Sequence, residues 1–173
     1  MAVLLSAPEK DAAYRWGAAA LIAAAAIILA ALGFEHIGGY RPCPLCLQQR
    51  YAYYAGIPLL FGALVLTSMG QKRFAGALFA LVAVAFLANT GLAIYHAGVE
   101  WKWWEGPQTC QLGLEPLSGS GTLLERLETT RVIRCDEAAW RFMGLSFAGW
   151  NAVLSFLLAL ATFTAARISW HRD

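Results

Sequence analysis

Charged residues are scarce in this sequence. Only 14% of its 173 residues are Asp, Glu, Lys or Arg, whereas 59% are hydrophobic. An ordinary soluble domain carries more charge than this, so we expect the lipid bilayer to be the solvent of the chain. The net charge is only +2, and the basic residues are spread along the chain instead of forming a patch. We therefore expect no nucleic-acid partner.

Cysteine is also rare, with only four residues in the chain: Cys43, Cys46, Cys110 and Cys135. An even number fits two disulfides in an oxidising compartment, and would fit a metal site in a reducing one. Zinc would prefer a second close-spaced pair after the first, and the 24 residues between Cys110 and Cys135 do not match. We therefore expect no metal.

Four long runs lack charge almost entirely, and each is long enough to cross about 30 Å of hydrocarbon as a helix. The predicted spans are residues 16–34, 47–69, 74–95 and 142–166. A cleaved signal peptide is the alternative for the first run, but the run exceeds the usual apolar core of about 7–15 residues. The sequence predicts an all-α membrane protein, a four-transmembrane-helix bundle forming one domain over residues 1–173.

Several residues inside these spans predict local features. Pro58 predicts a kink or break in the second helix. Gly56 and Gly62 could let another helix approach closely, and Asn89 and Thr90 are expected to form helix-to-helix hydrogen bonds.

Two loops, residues 35–46 and 96–141, lie on the same side of the predicted membrane. In the second loop, Thr122 and Glu125 have the spacing of a capping box, which predicts a short amphipathic helix through Leu127. All four cysteines fall on this side, and disulfides persist only on the oxidising side of a membrane. Basic residues near the span ends modestly favour cytoplasmic termini. We therefore expect both loops to be periplasmic and both termini to be cytoplasmic.

The stretch CPLCLQQR, residues 43–50, carries the chemistry that the sequence predicts. Two prolines restrict the backbone, so the second helix is expected to begin near Cys46. In the first turn of a helix, unpaired N–H groups favour a thiolate at Cys46. Arg50 lies one turn further, about 6 Å along the same face, where its charge would favour a thiolate or a reduced cofactor oxygen. A zinc ligand pair, a structural disulfide and an incidental pair of thiols are the alternatives.

A redox relay is chemically plausible because two cysteine pairs lie on one face of a membrane. Thiolate attack on a disulfide passes through a mixed disulfide and regenerates a dithiol in the neighbouring pair. One pair can then meet a soluble partner, while the other reaches a lipophilic acceptor at the bilayer edge.

The order of these features resembles the DsbB family of disulfide-generating membrane proteins. The resemblance rests on four spans, on CPLCLQQR at the start of the second, on HAGVEWKWWEGP at residues 96–107, and on Cys110 and Cys135 in the same loop. Relatives of vitamin K epoxide reductase place the CxxC after the loop cysteines, so the order is specific. The resemblance covers nearly the whole chain and implies a location in the bacterial inner membrane.

The resemblance implies a direction for the relay. Cys110 and Cys135 would oxidise a periplasmic thioredoxin-fold oxidase of the DsbA type, with Cys110 forming the mixed disulfide. Cys135 would hand over to Cys43, and Cys46 would face the ring of a ubiquinone or menaquinone from the membrane pool, next to Arg50. A DsbA-type oxidant sits near −120 mV, so its re-oxidation requires a sink as strong as a respiratory quinone.

The roles of the residues near the end of the third span are less specific. His96 aligns with a family histidine near the quinone, and the alternative is an interfacial histidine bonded to the backbone. Glu100 lies one turn later, where some relatives carry an amide, so no quinone contact is expected there. Trp101, Trp103 and Trp104 are most simply an interfacial aromatic belt, with stacking on a quinone or partner as the alternative.

The sequence therefore predicts a quinone-dependent protein-disulfide oxidoreductase. Two other functions remain open on the residues alone. One is a four-span protein whose disulfides only brace the outer loop, and the other is a membrane thiol reductant that runs the relay in reverse.

Overall fold

Four long helices make up most of the computed structural model, which describes residues 10–107 and 135–171. They are α1 (Lys10–His36), α2 (Pro44–Ser68), α3 (Lys72–Glu100) and α4 (Phe147–Trp170). All four are long and apolar enough to cross a membrane. Each helix packs against the next, and α4 also packs against α1, which closes a four-helix bundle. The predicted all-α membrane fold is confirmed. The predicted loop helix at Thr122 lies outside the described residues.

The core of the bundle is built from aromatic and small side chains. Phe79, Phe86 and Leu60 are fully buried. A methyl group added at Gly17 of α1 would come within 2.6 Å of the Phe79 ring, so glycine is needed where α1 faces this side chain of α3. Gly56 similarly faces Phe86, with 3.1 Å available to an added Cβ. The predicted close helix approach at Gly56 is thus confirmed.

Large apolar side chains cover the outside of every helix, and each of the following is more than half exposed: Leu29, Phe61, Val84 and Leu157. In water such a surface would be a strong driver of aggregation. In a bilayer the same side chains are solvated by lipid, which agrees with the scarcity of charge in the spans.

The second helix begins earlier than predicted. Its first residue is Pro44, two positions before Cys46, because proline is well tolerated at the first position of a helix. Cys43 is the N-cap residue, and its sulfur accepts a hydrogen bond from the Cys46 N–H at 3.3 Å. Cys46 still lies in the first turn, as predicted. The helix continues through Pro58 without a break.

The third helix ends later than the apolar run does. The prediction placed residues 96–100 in the loop, but α3 continues through Glu100. His96 and Glu100 lower the mean hydropathy of this segment, yet both side chains are buried, and His96 is hydrogen-bonded to Gln49. Hydropathy did not indicate this extension of the helix, because it measures the polarity of a side chain and not whether the side chain is hydrogen-bonded.

The fourth helix begins at Phe147 instead of residue 142. The intervening residues form a small antiparallel hairpin of β1 (Arg141–Phe142) and β2 (Leu145–Ser146). Met143 and Gly144 form its turn with φ of 52° and 84°, the positive values of a tight type I′ turn. Ser146 then caps α4 by accepting a hydrogen bond from the Gly149 N–H at 3.2 Å.

Hydrogen bonds inside the bundle agree only partly with the predicted pair on α3. Asn89 donates from Nδ2 to Ser155 Oγ of α4 at 2.8 Å, as expected for a helix-to-helix contact. Thr90 instead donates to the Phe86 carbonyl of its own helix. Threonine can satisfy its hydroxyl locally in this way, whereas asparagine cannot do so from within a regular helix.

Candidate functional site

The CxxC pair lies at the start of α2, where the helix geometry brings the two sulfurs together. Cys43 and Cys46 are free thiols with their Sγ atoms 2.8 Å apart. Cys43 is buried, and Cys46 is partly exposed. Because Cys43 occupies the N-cap, the unpaired N–H groups and the positive dipole end of α2 point toward its sulfur.

These surroundings favour the thiolate of Cys43. The hydrogen bond from the Cys46 side chain is the largest cause, and the hydrogen bond from His96 adds to it. Together they outweigh the cost of burial and lower the pKa of Cys43 to about 5. The prediction had assigned the thiolate to Cys46, whereas the structure places the donors on Cys43.

His96 connects this sulfur to the interior of the bundle. Its Nε2 lies 3.6 Å from Cys43 Sγ, and its Nδ1 lies 2.9 Å from Gln49 Nε2. Both ring nitrogens therefore face side chains, and not the backbone as the alternative reading supposed. The side chain is fully buried, so its position is fixed by these contacts.

Glu100 lies one turn beyond His96 on the same face of α3. Its Oε1 is 3.8 Å from His96 Nε2, which is too long for a hydrogen bond between nitrogen and oxygen. Its Oε2 has no hydrogen-bond partner among residues 10–107 and 135–171.

Arg50 has a partner that the sequence interpretation missed. Its Nη1 forms an ion pair with Oε2 of Glu35, at the end of α1. Both side chains are largely shielded from solvent, with 13% and 25% of their surfaces exposed. Glu35 is the only acidic residue between the first span and the CxxC, which is the signal that could have identified it.

A cavity of about 610 Å³ lies beside these groups. Its walls come from all four helices and from the residues just before α2 and α4, and they are largely apolar and aromatic. The polar side chains at its wall include those of Cys46, Gln49, Arg50, His96 and Glu100. A chamber of this size and character is typical of a site for a small amphipathic molecule.

Cys135 lies in the same region as the CxxC. It is disulfide-bonded and almost fully buried. It belongs to one packed cluster with Cys43, Leu45 and Val99, against which Cys46 also packs. The structure thus brings three of the four predicted catalytic cysteines together, while Cys110 lies outside the described residues.

Trp101, Trp103 and Trp104, which directly follow α3, are not among the residues that line the cavity. Trp104 stacks on Tyr95 with the rings 4° from parallel, and it donates from Nε1 to the Tyr95 carbonyl at 2.8 Å. Trp103 packs between Trp101 and Trp104. Stacking on a molecule in the cavity is therefore not available to this cluster in the arrangement seen.

A row of amides and hydroxyls behind the site was also missed, in which Gln49 and Tyr53 are buried and Asn151 is partly buried. Gln49 accepts at Oε1 from Asn151 Nδ2 at 2.6 Å, and Asn151 accepts at Oδ1 from the Tyr53 hydroxyl at 2.6 Å. The presence of Asn151 within an apolar run was the available signal, because a polar side chain inside a membrane helix needs a partner.

The three groups at the sulfurs also have the spacing of a metal site. The Sγ atoms of Cys43 and Cys46 and a ring nitrogen of His96 lie within 4.8 Å of one another. A structural zinc site requires four ligands, so a cation here would need a further donor such as the Glu100 carboxylate.

The chain is similar in sequence to proteins of one known family. The family model described as "Disulfide bond formation protein DsbB" matches residues 13–165. Three similar proteins carry the name "Disulfide bond formation protein B" and are each 32% identical to the chain. They come from Marinobacter nauticus (86% of this chain and 89% of the relative covered), Xanthomonas campestris pv. campestris (85% and 89%) and Aromatoleum aromaticum (78% and 83%). No solved structure matches the chain.

Proposed function

Since the chain belongs to the DsbB family of disulfide bond formation proteins, we propose that it oxidises a periplasmic DsbA-type dithiol oxidase and passes the electrons to a membrane quinone. The chain is a multi-pass membrane oxidoreductase of disulfide bond formation. The partner, the acceptor and the route between them are the proposal.

The first half of the reaction is an exchange between the partner and the loop pair. A thiolate of the reduced partner attacks the Cys110–Cys135 disulfide at Cys110, which gives a mixed disulfide and releases Cys135 as a thiolate. The second thiol of the partner then loses its proton and attacks the partner sulfur of the mixed disulfide, which releases Cys110. The partner leaves with its own disulfide, and the loop pair is reduced to a dithiol.

The second half moves the disulfide to the membrane boundary. When Cys43 and Cys46 are joined, the Cys135 thiolate attacks Cys43 and releases Cys46, and Cys110 then displaces Cys43. The loop disulfide is restored and the CxxC becomes a dithiol. Packing of Cys135 in one cluster with Cys43 supports this order, because the attacking and attacked sulfurs must meet.

The cavity next to Cys46 fits a quinone head group. It is mostly apolar, it has the volume of a small-molecule site, and it offers the Arg50 guanidinium at its wall. A ubiquinone or menaquinone bound there would accept the two electrons and two protons of the dithiol. Arg50 would hold the oxygen of the ring on which negative charge develops, and the Glu35 carboxylate that pairs with Arg50 would compete with that oxygen for the guanidinium.

His96 lies at the cavity wall next to Cys43. Its ring contacts the Cys43 sulfur and so holds in place the atom that reacts with the loop cysteines. The low pKa of Cys43 makes this sulfur a good leaving group when the loop dithiol displaces it.

The proposal places the protein in the bacterial inner membrane with both termini in the cytoplasm. Four spans put the ends of the chain on one side and both cysteine segments on the other. Disulfide exchange with a periplasmic partner requires the cysteine side to be the oxidising side.

The observation that carries the proposal is the dithiol at the wall of an apolar cavity. We expect the purified protein to reduce a soluble quinone when a reduced DsbA-type oxidase is supplied, with one quinone consumed per partner disulfide formed. Cys43→Ser and Cys46→Ser should each abolish this turnover.

Leu47→Ser is the matched control, because it introduces the same side chain at an exposed position of the same helical turn. It should retain most of the turnover. Full turnover in either cysteine variant would instead favour a protein whose disulfides only brace the loop.

A further inference from the structure

A continuous row of hydrogen bonds runs through the bundle and ends at the reactive sulfur. It starts at the Tyr53 hydroxyl, passes through Asn151 of α4 and Gln49 of α2, and reaches Nδ1 of His96 on α3. The opposite ring nitrogen, Nε2, faces Cys43 Sγ at 3.6 Å. Three helices thus contribute to one row of polar groups.

The amides give this row a direction. Asn151 presents its NH₂ group to the carbonyl oxygen of Gln49, at 2.6 Å. The Gln49 amide therefore turns its own NH₂ group toward His96, and an NH₂ group can only donate. Nδ1 of His96 must accept this bond, so the ring proton of the neutral imidazole lies on Nε2.

Among residues 10–107 and 135–171, the proton on Nε2 has one acceptor within reach. Cys43 Sγ is at 3.6 Å, a distance that the larger radius of sulfur permits, whereas the Glu100 oxygen at 3.8 Å is too far for a hydrogen bond. The same proton occupies the lone pair that a metal ion between the two sulfurs would need.

We propose that Gln49 and Asn151 are positioning residues that hold the His96 ring with its proton on Nε2 and so keep an N–H donor on the Cys43 sulfur. The inference rests on the proposed function only in that it concerns Cys43 as the reacting thiol. Neither amide contacts the sulfur, so both act through His96.

The arrangement matters because the thiolate is buried. A charged sulfur shielded from water depends on the donors that the protein supplies, and each such bond must already be in place. The groups that face Cys43 are Cys46 on α2, His96 and Glu100 on α3, and Cys135 before α4. Gln49 sets the position of the His96 proton from the far side of the ring.

The proton position is measurable by ¹⁵N NMR of histidine-labelled, reduced protein in detergent, with the exposed His36 and His171 changed to Gln. We expect unprotonated Nδ1 and protonated Nε2 in this background. Asn151→Asp cannot donate to Gln49, so it should turn the Gln49 amide over, present the Gln49 oxygen to Nδ1, and place a proton there. Gln49→Glu should protonate Nδ1 directly.

Gln48→Glu is the control, because Gln48 is the exposed neighbour in the same turn and should leave the spectrum unchanged. A purely structural role for Asn151 would not change the protonation of a ring that it does not touch. A protonated Nδ1 in the unaltered network, or an unprotonated Nδ1 in Asn151→Asp, would overturn the proposal.

The effect on the sulfur is measured separately, as the pH dependence of Cys43 alkylation followed by mass spectrometry. Gln49→Leu removes the donor that holds the ring, and should raise the midpoint by about one pH unit, a tenfold loss of thiolate at low pH. Gln48→Leu should leave the midpoint unchanged, and an equal midpoint in Gln49→Leu would contradict the proposal. Neither experiment contains a quinone or a protein partner, so its outcome is independent of the proposed turnover.

Discussion

Removal of the Arg50 charge is expected to weaken quinone use, and the ion pair with Glu35 determines by how much. In Arg50→Met the side chain keeps its apolar length but loses the guanidinium at the cavity wall. A hydrogen bond from a charged donor contributes about 1.5–3 kcal/mol. Since about 1.4 kcal/mol corresponds to a factor of ten, we expect kcat/KM for quinone to fall by roughly 10- to 150-fold, largely through KM.

Glu35→Gln should have the opposite effect on the quinone KM. The carboxylate of Glu35 competes for the Arg50 guanidinium and places a negative charge near the cavity. Its removal leaves Arg50 free to hold the oxygen of the ring, so the quinone KM should fall by a few-fold. Breaking the pair also carries a stability cost. With 13% and 25% exposure, the pair lies between a surface pair worth up to about 1 kcal/mol and a buried pair worth about 3–5 kcal/mol when broken.

The double variant separates these two roles. In Arg50→Met the unpaired Glu35 carboxylate remains and repels the negative charge that develops on the quinone. Glu35→Gln in that background should therefore recover part of the lost kcat/KM. The assay is steady-state quinone reduction with a reduced DsbA-type oxidase at saturating concentration, together with thermal unfolding of each variant in detergent.

Arg15→Met is the control, because Arg15 is an exposed arginine in the first half of α1, away from the cavity. It should leave KM unchanged. An unchanged quinone KM in a folded Arg50→Met protein would remove Arg50 from the proposed site and refute this reasoning.

Three further outcomes are expected. Because the pKa of Cys43 is lowered to about 5, its alkylation rate in the reduced protein should stay nearly constant from pH 8 to 6 and reach half of that value at about pH 5. A midpoint near 8.5, the ordinary value for cysteine, would contradict the donor arrangement. Cys135→Ser should trap the oxidase partner as a mixed disulfide through the other loop cysteine, seen on non-reducing gels, whereas trapping through Cys43 would reverse the proposed order. Gly98→Ala should lower the thermal midpoint and alter tryptophan fluorescence, because an added Cβ would collide with the Trp104 ring. Gly91→Ala should change neither, because an added Cβ there meets nothing within 4 Å.

The four-helix architecture was predictable because a bilayer requires long uncharged runs, and hydropathy detects them directly. The helix ends were less predictable. Residues 96–100 looked like loop because His96 and Glu100 are polar, although both lie on the buried face of α3. Pro44 looked like a helix breaker, but at the first helical position its missing N–H has no partner to lose.

The candidate site was predictable only where its residues are neighbours in sequence. Cys43 and Cys46 form a motif, but the partners that complete the site come from distant positions. Gln49 meets His96 across 47 residues and Asn151 across 102 residues. The approach of Glu35 to Arg50 likewise depends on how α1 and α2 pack. No local pattern encodes such pairings, because they depend on the packing of the helices.

The polar row links the stability of the bundle to its chemistry. In the bilayer interior an amide without a partner costs more than in water, so Gln49 and Tyr53 of α2, Asn151 of α4 and His96 of α3 hold three helices in register by satisfying one another. The same bonds fix the orientation of His96, whose other ring nitrogen, Nε2, faces Cys43. A helix that slipped by one residue would break the row and turn the donor away from the sulfur at the same time. The packing that places these helices in the membrane is therefore also what positions the hydrogen-bond donor at the reactive thiol.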